Sequence, residues 1–179
     1  MASTQIANAA EHLRHVFERH PGAGMHDDAP ATARWMDGLH VAITHANGHQ
    51  VATDMPAEFG GTGDGALPSP GWLFRAGMAS CLATCIVINA ARQGIELTTL
   101  QVSAHSRSDT RGVLGMPDTE GQPVQAQPFE CRLAVRIAAC DASAAVLREL
   151  VETSRRSSPI PQAAQNAMVV GLDIDVSEG

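Results

Sequence analysis

Apolar residues along the chain recur with two periods, and the switches between them divide it into elements. Ile6, Ala9, Ala10, Leu13, Val16 and Phe17 recur at helical spacing and predict a helix over residues 4–19, stopped by Pro21. Residues 22–30 read as a linker. Leu39, Val41 and Ile43 then alternate with His40, Ala42 and Thr44, and Asp37-Gly38 and Asn47-Gly48 are tight-turn dipeptides. Three strands follow, ATARWM, LHVAIT and HQVATD, forming an antiparallel meander with one buried face. Residues 97–107 read as a strand and 108–127 as a long Gly/Pro-rich loop. Phe129, Cys131, Leu133, Val135 and Ile137 alternate with polar or small residues, which predicts a half-buried strand with Cys131 in the core and Cys140 an inert residue at its end. Asp141 is placed to cap a second long helix with Val146, Leu147, Leu150 and Val151 inward, ending near Ser157 because Pro159 disfavours helix before it. A helical turn at 162–167 and a last strand at 169–176 complete an α+β order with a mainly antiparallel sheet.

Residues 69–94, SPGWLFRAGMASCLATCIVINAARQG, fit neither of the two simple patterns. Ser69 caps, Pro70 suits the first helical position, and Gly94 suits a left-handed stop. Between them apolar residues go nearly all round, as expected of a central core helix. Ser80, Thr84, Asn89 and Arg92 interrupt the run and argue against a membrane span. Small residues from Ala76 to Ala83 admit close backbone approach, including that of a second copy. Cys81 and Cys85 share a face one turn apart. By composition alone, both read as small buried hydrophobes.

Composition narrows the class. The 179 residues suit one domain, and the formal charge is −7 with no lysine. Without a basic run and with few aromatics, nucleic-acid binding has little support. The N-terminal residues lack a signal-peptide pattern, so a soluble, cytoplasmic chain with free thiols is expected. No metal-ligand spacing appears: His12 and His15 lack a third ligand in register, and no metal or cofactor is expected. The glycine cluster at 60–65 lacks the GK[ST] of a phosphate loop and reads as a tight connection.

Two stretches carry a family resemblance. PAEFGGTGDGALPSPGWLFRAGMASC is similar to the P-x-E-[LF]-G-G segment that leads, in the OsmC/Ohr family of thiol-dependent organic hydroperoxide reductases, through an [NS]-P element to a cysteine-bearing helix. LVETSRRSSPIPQAAQNAMVVGLDIDV resembles that family's last helix, C-P-x-S turn and last strand. The resemblance implies a single OsmC-like domain over 1–179, with an N-terminal helix and linker at 1–30 and the family core at 31–177. It implies a sheet packed around a long buried helix, an intertwined homodimer, and active sites between subunits. It places the peroxidatic thiol at Cys81. The family's resolving cysteine falls at Ser158, its glutamate at Gly71, and its hairpin arginine near Met36, with Arg34 the nearest match on the same strand face.

The resemblance therefore implies a one-cysteine organic hydroperoxide reductase acting in oxidative-stress defence, with an external thiol as reductant. The alternative is a catalytically degenerate dimer that binds a small apolar ligand or partner. Burial alone disfavours a thiolate, so Cys81 needs help; Arg34 is the first candidate, with Arg155 and Arg156 behind it. If the second stretch is aligned correctly, Ser158 lies close to Cys81. Cys85 is a poor substitute resolver, because i and i+4 Cβ atoms on a helix stand ~5–6 Å apart and a disulfide needs about 3.8 Å.

Overall fold

The computed structural model describes residues 2–177 other than 64 and 167. The elements are α1 (Ala2–Arg19), β1 (Ala31–Asp37), β2 (His40–His45), β3 (Gln50–Thr53), α2 (Pro70–Arg92), β4 (Leu97–Arg107), α3 (Thr110–Val113), β5 (Phe129–Ala139), α4 (Ala144–Arg156) and α5 (Pro159–Gln165). The class is α+β with antiparallel pairing throughout the described strands, as the periodicity predicts.

The central helix forms as its end signals dictate. The Ser69 side chain accepts from the Trp72 N–H, Pro70 opens the helix, and Gly94 takes φ +69° just after it. Met78, Leu82, Ile86, Ala90 and Ala91 are its buried residues. The first four recur at four-residue intervals, so one stripe is covered. Leu82, Ile86 and Ala90 join Leu147 and Leu150 of α4 in the core, with Leu100, Val102, Leu133 and Val135 of the β4–β5 hairpin packed against them. Length and a mean hydropathy of 1.6 would let α2 cross a membrane; in this fold it is the core helix, contacted by α1, β4, α4 and α5. Burial all round is not met in the single chain: Trp72, Phe74 and Ile88 stay exposed.

Five expectations are corrected. The strands form two separate sheets among the described residues, β1–β2–β3 and β4–β5. The three-stranded sheet has no buried face: both faces of β2 are only partly covered, and Trp35 is 71% exposed. Residues 169–176 form no strand and pair with none of the described strands; Val170, Leu172, Ile174 and Val176 are 85, 81, 73 and 80% exposed. Cys131 is exposed, since the covered face of β5 begins only at Leu133. Finally, α4 is capped by Ser143, whose hydroxyl accepts from the Val146 N–H; Asp141 lies two residues too early to cap a helix that begins at Ala144.

The last helix also starts earlier than periodicity suggested. Pro159 lacks an N–H and so fits the first position of α5, which runs to Gln165. The expected end of this turn, residue 167, lies outside the described residues. The 108–127 loop holds the short α3 and a Pro117–Pro123 bridge.

Candidate active site

The approach to α2 is a clamp built on one carboxylate. Asp54, buried at the end of β3, accepts from the Met55 N–H at 2.7 Å, the Thr62 N–H at 2.9 Å and the Thr62 hydroxyl at 2.7 Å. The Thr62 hydroxyl, then the two backbone N–H groups, hold the Asp54 carboxyl below the usual carboxylate range. The loop closes so tightly that a Cβ on Gly61 would sit 1.7 Å from the Met55 carbonyl oxygen. Gly61 is therefore required by backbone approach, which is why a glycine pair stands here without any phosphate motif. The clamp delivers the chain to Ser69 and so sets where α2 begins.

Twelve residues along from Ser69, α2 presents Cys81 to the junction of α4 and α5. The Ser158 hydroxyl donates to Cys81 Sγ at 3.3 Å, and the Ile160 N–H donates to the same sulfur at 3.5 Å. Cys81 is half-buried, whereas Ser158 is 0% exposed. Ser158 is the last residue before Pro159, and the proline start leaves the Ile160 N–H without a helical partner. The α4–α5 turn thus aims two donors at one sulfur.

Cys85 sits one turn further on, half-buried, and its Sγ donates to the Ser157 carbonyl at 3.8 Å. Burial pushes the Cys85 thiol up, against the Ser158 hydroxyl, which acts the other way, and Cys81 adds to the rise. Below it Ser154, fully buried, donates to the Leu150 carbonyl at 2.7 Å and accepts from Asn89 Nδ2 at 3.1 Å. The Asn89 bond ties α4 to α2 and so fixes the position of the turn that carries Ser158.

The predicted site residues are not all brought together. Cys81 and Ser158 meet, as the second stretch predicts. Arg34 does not join them: it lies on the three-stranded sheet, in a hollow with Thr32, Met36, Ala42 and Thr44, and is not among the hydrogen-bond partners of Cys81. Arg155 and Arg156 are engaged elsewhere, with Glu152 and Glu149, each at 3.2 Å. Gly71 leaves room at the first turn of α2, and Arg75 Nη1 lies 3.7 Å from where its Cβ would be. Cys131 and Cys140 are exposed, on β5 and just beyond it.

Sequence reasoning missed the Ile160 N–H and the Ser154–Asn89 lock. Both left a trace. A Ser-Pro pair opening a helix frees the next N–H, and Ser154 falls on the Leu147–Leu150 stripe of α4, where a polar residue must find a partner.

Residues 61–173 match the family described as OsmC-like protein. No curated protein matches the sequence. Solved structures share the fold. An OsmC-like protein from Mycoplasma pneumoniae superposes with a TM-score of 0.65 at 16% identity, over 80% of this chain and 91% of that one. An organic hydroperoxide resistance protein OsmC from Legionella pneumophila gives 0.56 at 20% identity, over 79% and 91%. The organic hydroperoxide resistance protein OhrB of Bacillus subtilis gives 0.50 at 23% identity, over 79% and 93%. The matched segment contains Gly61 and Thr62 of the clamp, the whole of α2 with Cys81, and the turn with Ser158, and on that match the chain belongs to the OsmC-like protein family.

Proposed function

We propose that the chain is a one-cysteine organic hydroperoxide reductase that works through Cys81 and an external thiol, in the cytoplasm, as part of oxidative-stress defence. The observation that supports this most is the meeting of Cys81 Sγ with Ser158 at 3.3 Å. By the resemblance these two residues stand at the positions of the family's two cysteines, with a hydroxyl here in place of the second thiol. Organic hydroperoxide resistance proteins of the same fold support the substrate class. The apolar residues near the site, Met78 and Ile160 among them, favour an alkyl or lipid hydroperoxide over hydrogen peroxide.

In the first step the Cys81 thiolate attacks the distal peroxide oxygen. An S–O bond forms, the O–O bond breaks, and the alkoxide leaves and takes a proton to become an alcohol. Sulfur is oxidised by two electrons to a sulfenic acid. With serine at 158, no second thiol stands there to condense with it. A small external thiol does so instead, releasing water and leaving a mixed disulfide. A second thiol then frees Cys81 and departs as the disulfide of the reductant.

The working unit in this reading is a homodimer. The three-stranded sheet and residues 169–176 leave apolar surface uncovered that a second copy would bury, and Arg34 would approach Cys81 only from such a copy. The domain is a single unit over 1–179, with α1 and its linker as an appendage to a core at 31–177. The second reading, a degenerate dimer binding an apolar ligand, draws on the separation of Arg34 from Cys81 within the chain.

Consumption of an organic hydroperoxide with a dithiol reductant separates the two. Turnover that is lost in Cys81→Ser and kept in Cys131→Ser and Cys140→Ser supports the reductase. Equal turnover by wild type and Cys81→Ser, or none by wild type, overturns it.

A further inference from the structure

The serine that replaces a second thiol is more than a vacancy. Ser158 is fully buried, and Cys81 Sγ is the acceptor of its hydroxyl. The Ile160 N–H, freed by the Pro159 helix start, points at the same sulfur. A neutral thiol needs neither donor. A thiolate accepts both, and hydrogen bonds to the charged form favour that form. We propose that Ser158 is the residue that makes Cys81 reactive: its hydroxyl, with the Ile160 N–H, forms a two-donor cradle for the thiolate within a single chain. This rests on the reading of Cys81 as the working thiol and assigns Ser158 a positive part in it.

The surroundings leave this task to neutral donors. On the face of α2 that carries Cys81 the neighbouring titratable group is Cys85, which burial keeps as a thiol. α5, PIPQAAQ, has no titratable residue. From α4 the nearest charges are Arg155 and Arg156, paired with Glu152 and Glu149. The cradle is also held in place independently of the sulfur. The Ser158 N–H donates to the Arg155 carbonyl at 3.4 Å, and its carbonyl accepts from the Gln162 N–H at 3.1 Å. Its hydroxyl is therefore presented by a fixed backbone, as a stabilising group must be. The same two donors serve the oxygen of the sulfenate once it forms.

The test is peptide-resolved alkylation of reduced protein by iodoacetamide across pH, with Cys131 and Cys140 as internal references. Ser158→Ala should slow alkylation of Cys81 at neutral pH by about tenfold, the size expected for a lost hydrogen bond to a charged group. The alkylation profile should move to higher pH, while the rate at the alkaline plateau stays within about threefold, because a thiolate formed by base alone no longer needs the cradle. A merely structural lesion would lower the plateau and disturb the reference cysteines. Ser158→Cys, nearly the same size, guards against misfolding of the alanine variant; its thiol is a poorer donor and should move the profile the same way by less. Mild peroxide should then remove two hydrogens from this variant and link position 158 to Cys81. A Cys81 profile in either folded variant that superimposes on wild type overturns the proposal. Alkylation needs no peroxide, so the outcomes separate: a shifted profile without hydroperoxide turnover removes the reductase and leaves the cradle, and turnover with an unshifted profile does the reverse.

Discussion

The two halves of this molecule are built from equally apolar strands and yet end up differently. In the half made of α2, α4 and the β4–β5 hairpin, Leu82, Ile86 and Leu150 are almost completely removed from water. In the half made of β1–β3 and residues 168–177, Trp35, Val51, Leu172 and Ile174 are exposed. Trp35 pairs with Val41, and Ile43 with Val51, so Trp35, Val41, Ile43 and Val51 share one face of the sheet, on which Trp35 and Val51 stand open to water. A small sheet needs an apolar face covered to be stable. The first half supplies its own cover. The second is patterned for cover that the described residues of the single chain do not supply.

The contrast can be broken most severely from the self-sufficient side. Leu82→Ala empties a core position against Leu147 and Leu150 and should cost about 2–5 kcal/mol in denaturant unfolding. A loss below about 1 kcal/mol would mean that the core lies elsewhere. The dependent side should respond to concentration. Sedimentation at micromolar concentration should give a dimer, and Trp35→Glu combined with Val51→Glu should shift it to monomer while the helical signal of α2 and α4 persists. A wild-type monomer would show that the uncovered face tolerates water.

Between the halves, the Asp54 clamp predicts a pH effect. Its folded carboxyl lies below the usual range, so it contributes stability above the ordinary aspartate pKa of about 3.9, and that contribution disappears as pH falls through the depressed value. Wild type should therefore melt higher than Asp54→Asn at neutral pH, and the gap should close in acid. A gap that is constant with pH would show that the charge is irrelevant. The smallest effect belongs to Arg155→Ala and Arg156→Ala. Exposed ion pairs contribute less than about 1 kcal/mol, and Cys81 alkylation should not change.

Much of this was legible in the residues. Ser69-Pro70 and Gly94 mark both ends of α2, and the hairpin dipeptides divide β1 from β2 and β2 from β3. The contact between Cys81 and Ser158 was expected from the second family stretch, which no local period could supply. What could not be read was which apolar face finds a partner. Alternation in 169–176 and at Cys131 says that one face can be buried, and only the packing says whether anything is there to bury it. The arginine nearest the family position was legible as a residue type, but its distance from Cys81 depends on where a whole sheet sits.

In the proposed reductase, Cys81 Sγ is the atom that meets the peroxide. Wild type and Cys81→Ser should be treated with one equivalent of an organic hydroperoxide in the presence of a sulfenic-acid trap such as dimedone, and then mapped by mass spectrometry. Wild type should give one trap adduct on Cys81, none at Cys85, and no internal disulfide. Adducts confined to the exposed Cys131 and Cys140, with Cys81 untouched, would contradict it.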